Sequence, residues 1–98
     1  MGDPELRQRA ATEMQDSADR AFAQAVAAER SAIRAHIHAA VLHHQRAAQL
    51  DRMADLAHDN LRRDELLHQA ETETTRGLAA TGRADFARQR LIDEGETP

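Results

Sequence analysis

Apolar side chains recur at helical spacing through the middle of the chain. Advancing 100° per residue, Phe22, Val26, Ile33, Ile37 and Val41 fall on one face with Ala40, Ala47 and Ala48. A second stripe, Leu50, Met53, Ala57 and Leu61, follows at i, i+3, i+7 and i+11. On one straight helix this second stripe is turned roughly 160–200° from the first, with the change near residues 42–49. Either the helix bends near His43 to Arg46, or it runs through and uses opposite sides for two partners. Residues 40–50 contain no Gly, Pro, Asn or Ser, which favours the continuous, two-sided helix.

The punctuation of the chain sets the element boundaries. Between Pro4 and Gly77 there are 72 consecutive residues without Gly or Pro. Asp3 suits an N-cap, Pro4 the first helical position and Glu5 the positive end of the helix dipole, so a long helix is expected over residues 4–58. Asp59 and Asn60 compete with helical backbone and also make good caps, which places a turn there. A second helix is expected over 61–76, carrying Leu66, Leu67 and Ala70, weakening at Thr72, Thr74 and Thr75 and stopping at Gly77. GLAATG reads as a turn, residues 83–93 with Phe86, Leu91 and Ile92 as a short third helix, and residues 94–98 as a frayed tail. The whole is one all-α domain, an elongated helical hairpin.

Composition adds a reason for association. Of the 98 residues 41% are apolar, but 21 of those 40 are Ala, leaving 19 larger side chains for a core. Each contributes roughly 1.5–3 kcal/mol when buried, against roughly 1–2 kcal/mol to order each residue, so a lone compact monomer is thin. A first helix about 80 Å long also exceeds what the remaining chain can cover. The expectation is a homo-oligomer, dimer or tetramer, assembled as a helical bundle. Its interface would comprise Phe22, Val26, Ile33, Ile37, Ala40, Val41, His44 and Ala48; Leu50, Met53, Ala57, Leu61 and Leu67 would pack within the chain. No clean Leu/Ile heptad persists, so a bundle is favoured over a regular zipper.

Candidate chemistry centres on six histidines. His36, His38, His43 and His44 fall within nine positions, yet no pair among these four is at i+3 or i+4, so they cannot share an ion on one helix unaided. His44 projects along the face of Ile37, Val41 and Ala48 and is the candidate for a pH-sensitive interface. Asp55 precedes His58 by three residues, and Glu65 precedes His68 by three. This carboxylate-x-x-His spacing resembles the way ferritin-like di-metal carboxylate proteins present ligands from bundle helices. That resemblance implies Glu65 and His68 as ligands for iron, manganese or zinc, with Glu13 and Glu29 as the helical candidates for bridging carboxylates. The alternative is a plain intrahelical pair on a solvated face and no cofactor.

Other classes are weakly supplied. There is no Cys, Lys, Tyr or Trp; Ser17 and Ser31 have no His/Asp constellation around them, and no Gly-rich loop offers phosphate binding, so an enzyme is not expected. A net charge of −4 without a basic stripe argues against nucleic acid. No apolar run spans a bilayer and the first residues lack a signal-peptide stretch, which leaves a cytoplasmic protein as the expectation. The resulting functional expectation is a small oligomeric protein–protein interaction module, an adaptor, regulator or assembly component, with the ferritin-like metal bundle as the alternative.

Overall fold

The computed structural model describes residues 2–98. Two helices, α1 (Pro4–Leu56) and α2 (Asn60–Asp93), run antiparallel, and no strand occurs among the described residues. The all-α elongated hairpin expected from the sequence is therefore the observed fold, 86 × 18 × 15 Å in extent. Its radius of gyration, 23.8 Å, is nearly twice the roughly 13 Å of a compact domain of this length.

Local chemistry fixes the helix ends. The Asp3 carboxylate accepts a hydrogen bond from the Glu5 N–H at 2.9 Å, and Pro4 sits in the first turn, where its missing N–H costs nothing. At the other end Ala57 is extended, two residues before the Asp59 carboxylate accepts from the Leu61 N–H at 3.0 Å to cap α2. Arg63 ties the corner together by donating to the Ala57 carbonyl at 2.9 Å. α2 ends in a Schellman motif: the Glu96 N–H reaches the Leu91 carbonyl, the Gly95 N–H reaches the Ile92 carbonyl, and Gly95 takes the left-handed φ of 80° that this geometry requires.

The seam between the helices follows a strict seven-residue repeat. On α1, Val26, Ile33, Ala40, Ala47 and Ala54 are buried at intervals of seven, with Leu50 between them; on α2, Ala70, Gly77, Ala84 and Leu91 repeat likewise, with Leu66 before them and Ala80 between. Larger side chains gather at the two ends. Val26, Ile33, Ala84 and Leu91 form one cluster with Ala87, and Leu50, Ala54, Leu66 and Ala70 form the other with Ala57. The middle is built of small residues, which lets the backbones approach closely.

Four expectations are corrected. First, α1 runs continuously through 42–49, as the absence of breakers there favours, but the stripe does not pass from one partner to another at that point: Val26 to Ala54 line a single seam. A seven-residue repeat drifts about 20° per heptad on a straight 100° grid, so by Ala54 the seam has turned about 80° from Val26. Second, Gly77 does not stop a helix. It is buried in the seam, and a Cβ built on it would lie 2.9 Å from His44 Cε1, so the glycine is a notch for the His44 ring. Third, α2 consequently runs through Gly77 and Gly82, and residues 83–93 are its last turns rather than a separate helix. Fourth, the tail does not simply fray, since Arg30 Nε donates to the Thr97 carbonyl at 2.8 Å and pairs with Glu96 at 3.6 Å.

α2 is shorter than α1 and leaves part of it uncovered. Residues 2–25 are exposed throughout, and the seam begins at Val26. From Pro4 to Ala25 this overhang is about 33 Å of helix with nothing from its own chain beside it.

Candidate functional site

The heptad seam has polar side chains at positions where a regular coiled coil carries Leu. His43 falls seven residues before Leu50, and Glu73 seven after Leu66, so pairing of the helices brings the two together. Nδ1 of His43 lies 2.7 Å from Oε2 of Glu73, with the side chains 32% and 18% exposed. A carboxylate only accepts, so the imidazole Nδ1–H donates. Arg76 pairs with the other Glu73 oxygen at 3.1 Å, one turn along α2. The hydrogen bond from His43 is the main reason the Glu73 carboxyl is held below its ordinary range, against the opposing effect of partial burial; Arg76 adds to the lowering. Along a seam of Ala and Gly, where many longitudinal positions pack alike, this charge-assisted bond marks one of them.

The candidate interface residues divide into two groups. Val26, Ile33 and Ala40 are buried within the chain, in the seam against α2, together with Ala47. Phe22, Ile37, Val41, His44 and Ala48 are exposed. Of the residues expected to pack within the chain, Leu50 is buried and Ala57 packs against its cluster, whereas Met53, Leu61 and Leu67 are exposed. Sequence reasoning placed the interface candidates Phe22 to Ala48 on one face because a straight-helix grid does not separate a heptad seam from the row beside it.

The exposed group forms a surface with residues of α2. Asp51 shares an open groove with Leu67, Glu71 and Thr74. Stepping back along α1 from Asp51 by three and four residues gives Ala48, His44, Val41 and Ile37; stepping forward from Thr74 by four gives Leu78. Ile37, Val41, Leu67 and Leu78 therefore lie on the same broad side of the hairpin, 40–62% exposed. The opposite side carries a groove lined by Arg46, Leu50, Gln69, Thr72, Glu73 and Arg76.

The candidate metal ligands are not brought to other ligands. Glu65 pairs with Arg62 at 3.5 Å on the surface, and His68 is exposed. Among the described residues no three His, Asp or Glu side chains converge to hold an ion. Glu29, a candidate bridging carboxylate, instead pairs with Arg90 at 3.4 Å and helps to lock the end of α2, while Glu13 lies on the overhang. The seam contact that sequence reasoning missed is His43–Glu73, whose signal was the seven-residue spacing of His36, His43 and Leu50. Among the described residues no helix is long and apolar enough to cross a membrane. Comparison of the chain with protein-family models, with curated proteins and with solved structures finds no match to any of them.

Proposed function

We propose that this chain is a non-catalytic helical-hairpin interaction module that self-associates and presents an apolar side to another protein, as an adaptor, regulator or assembly component of the cytoplasm. The observation that carries this reading is the amount of surface the fold leaves open. The chain exposes 7408 Å². A compact monomer of 10.9 kDa exposes about 5,600 Å², so roughly 1,800 Å² per chain is in excess. A standard interface takes about 800 Å² from each partner, which the excess accommodates twice.

Two regions supply that surface. The overhang of α1 carries Leu6, Met14 and Phe22 at 58%, 74% and 51% exposure, and an isolated helix of that length is marginal in water. The broad side bearing Ile37, Val41, Leu67 and Leu78 is the other, and it is the one offered to a different protein. Sedimentation equilibrium at micromolar concentration tests the self-association, with a dimer or larger species expected. A monomer at 100-fold higher concentration would refute it. Ala40 is not a useful site for disrupting the assembly, because a charge there enters the hairpin's own seam.

A further inference from the structure

The two apolar clusters leave the centre of the seam between them. From Ile33 to Leu50, about 25 Å of α1, the seam positions are His36, Ala40, His43 and Ala47, and between Ala70 and Ala84 the α2 positions are Glu73, Gly77 and Ala80. Methyl groups and a glycine bury little apolar surface, so this stretch depends on the polar contact at its middle. There His43 Nδ1 meets Glu73 Oε2 at 2.7 Å, and the second Glu73 oxygen is taken by Arg76 at 3.1 Å.

We propose that His43 is a proton-operated latch on the centre of the hairpin: charged, its imidazole locks α1 to Glu73 of α2, and neutral, it releases the centre to open while both ends stay closed. Histidine is the side chain whose charge ordinarily changes between pH 5 and 8. Deprotonation leaves a hydrogen on Nδ1, so the contact persists, but it drops from a hydrogen-bonded ion pair to a neutral donor on a carboxylate. The latch lies within one chain and stands or falls separately from self-association.

The neighbouring charges single out His43. Arg46 on α1 and Arg76 on α2 line the groove beside it, with the uncharged Gln69 and Thr72. Both guanidinium groups oppose a charge on the imidazole, but Arg76 directs Nη1 at Glu73 and Arg46 directs Nη1 at Gln49, whereas the carboxylate touches the ring. A step of seven along each helix from the His43–Glu73 pair sets His36 against Ala80, which has no charge to offer. His44 turns to the other side of the seam, its ring over Gly77. A proton on either of these two adds no bond between the helices. Glu73 must itself be ionised, and the hydrogen bond from His43, with Arg76, keeps its carboxyl below the ordinary range. The latch therefore engages as pH falls through the histidine range and is lost when Glu73 takes its own proton at lower pH.

Amide exchange of the whole chain from pH 5.5 to 8.5, expressed as protection factors so that the intrinsic pH dependence cancels, tests this at one protein concentration. Across that range residues 37–46 and 71–80 of the wild type should lose protection by about threefold to fivefold, the scale of a partly exposed ion pair, while residues 50–56 and 62–69 change little. His43→Gln and Glu73→Gln should both make the central profile flat, and His36→Gln and His44→Gln should leave the loss in place. A flat wild-type profile, a loss that persists in His43→Gln, or one that vanishes in His36→Gln or His44→Gln overturns the proposal. Nitrogen-15 spectra of the unsubstituted protein check the bond itself: at pH 8.5 the neutral His43 ring should carry its hydrogen on Nδ1, and a hydrogen on Nε2 refutes the latch. Should a variant fail to fold, this spectrum and the wild-type profile decide.

Discussion

Leu91 and Ile92 are neighbours of the same composition in opposite environments, and their truncation to Ala measures what the far end of the hairpin contributes. Leu91 is wholly buried, in the cluster with Val26, Ile33 and Ala84; Ile92 is 49% exposed. Either substitution deletes three carbons. At about 0.8 kcal/mol per buried carbon the transfer cost at Leu91 is about 2.4 kcal/mol, and the cavity left behind raises it to about 3 kcal/mol. The increment stays small because two helices in a single layer can close on a void. At Ile92 half the transfer cost, about 1.2 kcal/mol, is offset by a helix-propensity gain of about 0.4 kcal/mol, leaving less than about 1 kcal/mol. Urea unfolding followed by circular dichroism at 222 nm, at one protein concentration so that association is held constant, gives both values. Amide exchange adds a location. The two apolar clusters share no residue, so Leu91→Ala should open residues 26–33 and 84–94 while 47–70 stay protected. Equal losses for the two variants, or a uniform drop in protection along both helices, would refute the division of the seam into separately anchored ends.

Other substitutions test the middle of the seam and the corner. Gly77→Ala should yield less than the full propensity gain of about 1 kcal/mol, because the new Cβ forces the His44 ring off the notch; in a His44→Ala background the full gain should return, and equal effects in both backgrounds would show that the ring does not rest there. Glu73 has a folded pKa below its unfolded one, so its contribution is fully present above the ordinary carboxylate range and is lost as pH falls through the lower folded value. Melting temperatures across the acid range should therefore fall more steeply for the wild type than for Glu73→Gln, and parallel curves would remove Glu73 from the account. Asp59→Ala should cost about 1 kcal/mol by uncapping α2, with Asp59→Asn restoring most of it, as read from urea midpoints.

The ends of α1 and the start of α2 were legible because they are written in local chemistry: Asp3-Pro4-Glu5 caps one helix, and Asp59 caps the next. Gly77 misled because its local preference is for a stop, whereas the tertiary seam demands a residue without a side chain beneath His44. The seam itself was hidden for a different reason. Its repeat includes His43 and Glu73, which no apolar count registers, and it consists largely of alanine, which occurs on every face of α1 and so does not distinguish one. The exposed row of Ile37 and Val41 carries larger side chains than the buried row of Ala40 and Ala47, so hydrophobic weight alone points to the wrong side. The metal pattern at Glu65 and His68 was legible only as spacing; among the described residues the fold brings no third ligand to it within one chain.

The three-residue corner, Ala57 to Asp59, sets the order in which this molecule assembles. Once that corner closes, every later contact extends an existing hairpin by one turn and pays no further loop-closure entropy, so the helices zip together from the corner outward. In that order the cluster of Leu50, Ala54, Leu66 and Ala70 lies nearest the corner, His43 and Glu73 follow, and Val26 with Leu91 lies at the far end. Every one of these contacts uses the part of α1 that follows Ala25, which leaves the first quarter of the chain as a lever that takes no part in closing the hairpin.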